Sequence, residues 1–423
     1  MIRSTKHSLK YANSKKKSDV IRFLSNYRAA LQEYVDFIWY NPIIQNNKLI
    51  LDIQNNKLNS ISYIDYNCIS LSTKLSARSL SSAATQACGI VSGVIRRKSK
   101  YLYIANKLLE ENDMFGFNRI KQKLDKIKIN KPIIGNNVKA ELSSKLIDFQ
   151  FDKTSFDCFI RLKSLGDDYS HIKLPIKLTE QDHKWNNGKL LGSILLSENT
   201  VDFRYDSKTP ELKTQGITVG ADTGVNAIIT LSDRQSPKIT DIHGYSFSSI
   251  LEKLARKKRG SKAFGRTQDH RKNFINWSIN QLNLSDIKQV NLEHVSNLFY
   301  KHNTSAKLKR FTNSLIEEKI TRYLEEAGVQ LVLKSSAYKS QRCSNCGMVH
   351  YLNRKGKLFK CRSCGYVEDA DYNSAINNSF ELPRIPEWVV SQKLNRKSGF
   401  YWKLNGLFDK DGQEFRVPDS QIK

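Results

Sequence analysis

Cys343, Cys346, Cys361 and Cys364 form two C-x-x-C pairs separated by 14 residues. No other feature constrains the local fold so tightly, because four thiolates at this spacing close tetrahedrally on one zinc ion. Gly347 and Gly365 follow the two pairs, where a knuckle turn needs left-handed backbone. With all four positions filled by protein, that zinc is structural and does no chemistry. Cys68, Cys88 and Cys158 stand apart among apolar or small neighbours and read as inert, buried or half-buried thiols. An odd total of seven cysteines with no secretion signal argues against a disulfide framework.

Asp369, Asp371 and Asn373 follow the last cysteine within a few residues. Asp222 ends the apolar strand "ITVGA", Glu293 ends the strand "IKQVNL", and Asp371 opens the helix "DYNSAINNSF". Singly, each is an ordinary turn or cap residue. If the first and fourth strands of this region lie side by side, both acids emerge at one edge and the helix brings the third over them. Three converging carboxylates repel unless cations lie between them. Two Mg2+ ions, or Mn2+, suit such oxygen ligands, and about 3.5–4 Å apart they activate water and stabilise the leaving oxygen of a phosphodiester.

Lysine and arginine number 69 against 41 acidic residues, a net charge of +28, which calls for a polyanionic partner. The sequence shows neither an apolar run of transmembrane length nor a signal peptide, so nucleic acid is favoured over a membrane, with a cytoplasmic or nucleoid location. Arg256, Lys257, Lys258, Arg259, Lys262, Arg266, Arg271 and Lys272 read as a phosphate track. Arg96, Arg97 and Lys98 lie near Tyr101 and Tyr103 as a second basic segment. Phe264, Phe274 and Trp277 read as core rather than as stacking platforms.

The remaining pattern is that of an α+β multidomain chain. Helical spacing over residues 19–40, with Ser18 or Asp19 as cap and Asn41-Pro42 as stop, opens a helical region that continues near residues 76–113. From residue 151, "FDCFIRLKSL", "HIKLPIKL", "KLLGSILLS" and "TVDFRYDS" read as an antiparallel sheet or small barrel. Next, "GITVGAD", "VNAIITLSD" and "ITDIHG" read as three strands, followed by helix, strand, helix and strand up to the cysteines.

The segments "GADTG", "NLEHV", "YKSQRCSNCG", "FKCRSCGY" and "DADYNSAINN" occur in this order and resemble the TnpB nucleases and the compact type V CRISPR effectors. The resemblance implies a helical recognition lobe, a β-barrel wedge domain, and an RNase-H-like RuvC domain with an inserted zinc ribbon. On that pattern residues 1–18 start the wedge, 19–150 form the recognition domain and 151–214 the wedge barrel. Residues 215–340 are the first part of RuvC, 341–368 the zinc ribbon and 369–382 the last RuvC helix, leaving a tail, 383–423, without a role. It implies Asp222, Glu293 and Asp371 as the catalytic triad, Asp369 as a neighbour that is not a ligand, and Arg354 near the scissile strand. The partners implied are a guide RNA and double-stranded target DNA, with one chain or two on each guide. Asn377-Asn378 departs from the family, where an aliphatic residue often closes the last helix, as does Thr223 after the first acid. The leading function is an RNA-guided DNA endonuclease. The alternatives are an RNA-guided binding protein that does not cut, and a zinc-ribbon protein that binds DNA without a guide.

Overall fold

The first long helix starts from an asparagine. In the computed structural model, which describes residues 1–40, 64–110, 114–126, 130–151, 155–163, 170–294, 307, 311, 313–335 and 337–415, strand β1 (Ile2–Ser8) leads into helix α1 (Ser14–Tyr40). The helix begins more than a turn before the expected Ser18 or Asp19, because Asn13 Oδ1 accepts the Lys16 N–H at 2.9 Å and satisfies an orphan donor. Val20, Phe23, Leu24, Tyr27, Leu31, Tyr34, Val35 and Ile38 share its buried face, and each large side chain contributes about 1.5–3 kcal/mol by leaving water. The expected stop at Asn41-Pro42 lies outside the described residues.

The chain divides into two units, Met1–Lys208 and Thr209–Lys423. In the first, α2 (Ala77–Glu110) buries Ala83, Ala84, Ala87, Cys88 and Val91 in the same core as α1; small side chains let the two helices approach closely. After α3 (Met114–Lys126) come β2 (Ala140–Leu142) and β3 (Ile147–Gln150). Strands therefore begin before residue 151, where the sequence reads as the end of a helical region. They are followed by β4 (Cys158–Leu162), β5 (Ile172–Ile176), the short helix α4 (Glu180–Trp185), β6 (Lys189–Leu190), β7 (Ile194–Leu196) and β8 (Thr200–Asp206). One sheet has the order β1-β8-β7-β2 with β6 also on β8, and the other β3-β4-β5. Both contribute to one core with α1 and α2, and their described pairings do not close a barrel. No described helix is long and apolar enough to cross a membrane.

The second unit is built on β9 (Ile217–Asp222), β10 (Thr230–Leu231), α5 (Phe247–Arg256), α6 (Lys262–Ile279), β11 (Ile287–His294), α7 (Asn313–Glu326) and β12 (Gln330–Ser335). The sheet order is β10-β9-β11-β12, with β9, β11 and β12 parallel and β10 antiparallel. The third expected strand, "ITDIHG", is instead a turn. Asp241 Oδ1 accepts the N–H groups of His243 and Tyr245, each at 2.9 Å, while Ile239 and Ile242 face solvent; a side chain that ties up its own backbone competes with a sheet ladder. Phe274 is buried and Trp277 packs against the same core.

Beyond β12, the cysteine segment holds β13 (Met348–Val349), β14 (Arg354–Lys355), β15 (Leu358–Lys360) and β16 (Val367–Asp369), and runs straight into α8 (Ala370–Ser379). A short helix, α9 (Glu387–Ser391), precedes the hairpin β17 (Phe400–Lys403) and β18 (Gly406–Phe408). The tail is thus folded against the knuckle: β17 pairs with β13, and Val349, Val389, Phe400, Trp402 and Leu407 form a small core.

Helix α8 lies on β9 at Gly220. A Cβ there would stand 2.0 Å from the Ala375 carbonyl oxygen and 2.3 Å from the Ser379 nitrogen. Backbone cannot yield as a side chain does, so Gly220→Ala is expected to cost about 3 kcal/mol or more of stability, read as a lower urea midpoint. An unchanged midpoint would refute this packing.

Candidate functional site

Two parallel strands set the first two acids. Leu292 lies opposite Ala221 in the β9–β11 register, so the next residue of each strand, Asp222 and Glu293, leaves the sheet at the same edge. Their carboxyl groups are hydrogen-bonded to each other. Asp371 comes from the first turn of α8, whose N-terminus is capped by Asp369: Asp369 Oδ1 accepts the N–H groups of Asp371 at 2.9 Å and Tyr372 at 3.1 Å. Asp369 is therefore occupied by backbone, and Asp371 is the acid that turns to the site.

Burial, then the charges of Glu293 and Asp371, push the Asp222 carboxyl well above the usual carboxylate range. Glu293 is raised too, chiefly by burial, against the pull of Lys339 and Arg354. Burial and crowding thus favour the protonated forms of the Asp222–Glu293 pair. Arg354 Nη2 lies 3.0 Å from Asp371 Oδ1, and Lys357 Nζ lies 3.3 Å from Asp371 Oδ2. Both cations come from the β14–β15 hairpin of the cysteine segment. The Lys357 carbonyl also accepts the Ala370 N–H at 2.8 Å, which fixes that hairpin to the start of α8. Sequence reasoning overlooked Lys357 and Lys339. Lys339 is buried, and burial pushes its ammonium down to about 8; its only sequence signal was its place in "YKSQRCSNCG".

The four cysteine sulfurs lie within 4.8 Å of one another. Cys343 and Cys364 are 3.7 Å apart and Cys346 and Cys361 3.6 Å, close to the roughly 3.8 Å edge of a tetrahedron with bonds of about 2.3 Å to zinc. Gly347 and Gly365 have φ of +82° and +74°, and their N–H groups return to the carbonyls of Cys343 and Cys361. Crowding suppresses ionisation: Cys346 is pushed up to about 12, first by its hydrogen bond with Cys343 and then by burial, and Cys361 to about 11 by burial. A divalent cation at the centre would reverse this by stabilising the thiolates.

Buried Arg342 ties the knuckle to both neighbours. It donates to the Trp402 carbonyl at 2.7 Å and to Asn377 Oδ1 at 2.5 Å. Asn373 and Asn377 donate back to the Arg342 carbonyl at 2.9 and 2.7 Å, and Asn378 donates to the Ala221 carbonyl at 2.9 Å. The two asparagines that depart from the aliphatic pattern therefore clamp α8 to the knuckle and to β9.

Among the basic residues, Arg256, Lys258, Arg259, Lys262, Arg266 and Lys272 are exposed and Lys257 is half-buried. Arg271 is a correction: it is buried at 9% exposure on the face of α6 that carries Phe274 and Ile275, so it does not belong to the exposed track. Arg96 is exposed on α2; the side chains of Arg97 and Lys98 lie outside the described residues.

Residues 314–378 match the family described as Cas12f1-like, TNB domain. Over 84 residues the chain is 40% identical to a CRISPR-associated endodeoxyribonuclease Cas12f1 of Sulfoacidibacillus thermotolerans, covering 20% of this chain and 19% of that protein. Over 98 residues it is 33% identical to a TnpB-like protein of Aquifex aeolicus, covering 22% and 32%. Over these stretches the chain is similar to Cas12f1 and TnpB-like proteins. These matches span about a fifth of the first curated relative and about a third of the second. The crystal structure of Alicyclobacillus acidoterrestris C2c1 in complex with single-guide RNA aligns over 100% of this chain and 95% of that one, with a TM-score of 0.50 and 8% identity, a likeness of fold.

Two outcomes test this geometry. Cys361→Ser should lose its bound zinc, measured as metal per chain by mass spectrometry, and retention of one zinc would refute the four-cysteine site. In protein that keeps its zinc but is prepared without Mg2+ or Mn2+, the raised Asp222 carboxyl stabilises the fold below the unfolded-state value and loses that contribution as pH rises through the folded one. Asp222→Asn should therefore raise the melting temperature at neutral pH and flatten its fall from weakly acid pH. A lower melting temperature at neutral pH would contradict the crowding.

Proposed function

We propose that this chain is an RNA-guided DNA endonuclease that hydrolyses phosphodiesters at one carboxylate site. The observation that carries the reading is the convergence of Asp222, Glu293 and Asp371 from adjacent parallel strands and a helix that leaves a four-cysteine knuckle. Residues 314–378, which include the third acid, match the Cas12f1-like TNB family, a stretch of 84 residues is 40% identical to a named endodeoxyribonuclease, and the fold is like that of a protein crystallised with single-guide RNA. Residues 215–340 and 369–382 form the RuvC domain in this reading, split by the zinc ribbon 341–368. Residues 1–18 and 151–214, with β2 and β3 paired to them, form the wedge, and the rest of 19–150 the recognition lobe.

Three carboxylates without nitrogen or sulfur donors fit a hard divalent ion, and the crowding of Asp222 with Glu293 and Asp371 would be relieved by a cation between them. Asp222, Glu293 and Asp371 would hold two Mg2+ ions, with Mn2+ as substitute, which when bound supply an activated water and a stabilised leaving oxygen. With Asp371 engaged by metal, Arg354 and Lys357 would be free to meet the phosphate. Cys343, Cys346, Cys361 and Cys364 hold one structural zinc that keeps both cations over the site. The exposed cations of α5 and α6, with Arg96, neutralise nucleic-acid backbone, and base pairing with the guide selects the target.

The decisive experiment is to express the gene with its flanking DNA, purify the protein and sequence the nucleic acid that accompanies it. A discrete RNA with a constant scaffold is expected, and cleavage of DNA matching its variable end. Asp222→Ala should bring cleavage to background while keeping RNA and target binding. Cutting by that variant, or heterogeneous RNA alone, would overturn the proposal.

A further inference from the structure

The cavity beside Asp371 is larger than metal chemistry requires. It encloses about 510 Å3, and its lining includes Asn226, Gln341, Tyr351, Arg354, Lys357 and Asp371. Arg354 and Lys357 mark where phosphate charge is met. Tyr351 opens the turn Tyr351–Asn353 and is 44% exposed. A tyrosine that open is ordinarily free to turn, but this one is backed: the His350 imidazole stacks on it with centroids 5.1 Å apart and planes at 30°. His350 is itself buried, and its Nδ1 accepts the Leu352 N–H at 3.1 Å. Asn353 locks the turn, donating to the carbonyls of Gln341 and Met348 at 3.0 and 3.1 Å and accepting the Arg362 N–H at 3.0 Å. A preorganised aromatic face therefore lines the same cavity as two cations, Arg354 and Lys357, with Asn226 and Gln341 also on its wall.

We infer that Tyr351 is a base-stacking platform for an unpaired DNA strand. The nucleotide next to the scissile phosphate lays its base on the tyrosine ring, and its phosphate faces Arg354 and Lys357. Aromatic stacking accepts any base, because every base has a π-face, so the platform carries no sequence preference. It does select strandedness, since bases inside a duplex are already stacked on one another. The assignment rests on the nuclease reading above and adds a subsite to it.

The test uses the full-length protein with its accompanying nucleic acid, Ca2+ in place of Mg2+ to hold back cleavage, and an oligodeoxynucleotide carrying 2-aminopurine, single-stranded or as duplex. Wild type is expected to bind the single strand with quenched 2-aminopurine emission. Tyr351→Ala and the bulk-preserving Tyr351→Leu should both weaken that binding roughly tenfold and abolish the quenching. Tyr351→Phe should behave as wild type, and with Mg2+ the loss should fall on KM more than on kcat. Zinc content should stay at one per chain in all three variants. Unchanged affinity and quenching in Tyr351→Leu, or a Tyr351→Phe as defective as Tyr351→Ala, would overturn the platform while leaving the nuclease reading intact. A wild-type protein that neither binds nor cuts DNA would overturn both.

Discussion

Backbone contact between α8 and β9 is the constraint on which the second unit depends. At residue 220 the helix comes so near the strand that a single Cβ would meet the Ala375 carbonyl oxygen at 2.0 Å. That proximity puts Asp371, on the first turn of the helix, beside the end of the strand that delivers Asp222. The far end of the helix is held by Asn378 on the Ala221 carbonyl. With its position along β9 fixed at two points, the helix has little freedom to withdraw its carboxylate.

The fusion of a cysteine knuckle to an acidic cluster then has an electrostatic reason. Asp222, Glu293 and Asp371 crowd together in a chain whose net charge is +28, and that general excess does nothing for a buried pocket unless cations reach it. Arg354 and Lys357 reach it because the β14–β15 hairpin is held between the knuckle and the start of α8. The hairpin has too few residues for a core of its own, and a four-thiolate metal site holds a loop of that size rigid. Arg342 and the β17–β18 hairpin extend the support on the other side, so the tail behaves as part of the knuckle.

The first unit solves a different problem. Its two sheets and two long helices share one apolar core, and the carboxylate it buries, Asp182, is satisfied by hydrogen bonds from Thr5 and Tyr205. On α6 of the second unit, Lys262, Arg266 and Lys272 face water while Arg271 lies buried beside Phe274.

Much of this was legible in the chain. The apolar face of α1, the C-x-x-C spacing and the acids at two strand ends follow from short-range rules: the period of a helix, the reach of four thiolates, the ending of an apolar run. Those rules do not see across the chain. The parallel pairing of β9 with β11 was only a condition in the sequence, and the register that aligns Asp222 with Glu293 is set by packing between residues some seventy positions apart. The turn at Asp241 looked like a strand because Ile239, Thr240 and Ile242 are β-branched, yet both isoleucines face solvent. The burial of Arg271, the pairing of Lys357 with Asp371 and the clamp formed by Asn377 and Asn378 were likewise beyond any local pattern. Sequence alone determined which residues could bind metal or bury themselves; the tertiary structure decided which of them meet, because contact depends on how distant elements pack and not on the order in which they are joined.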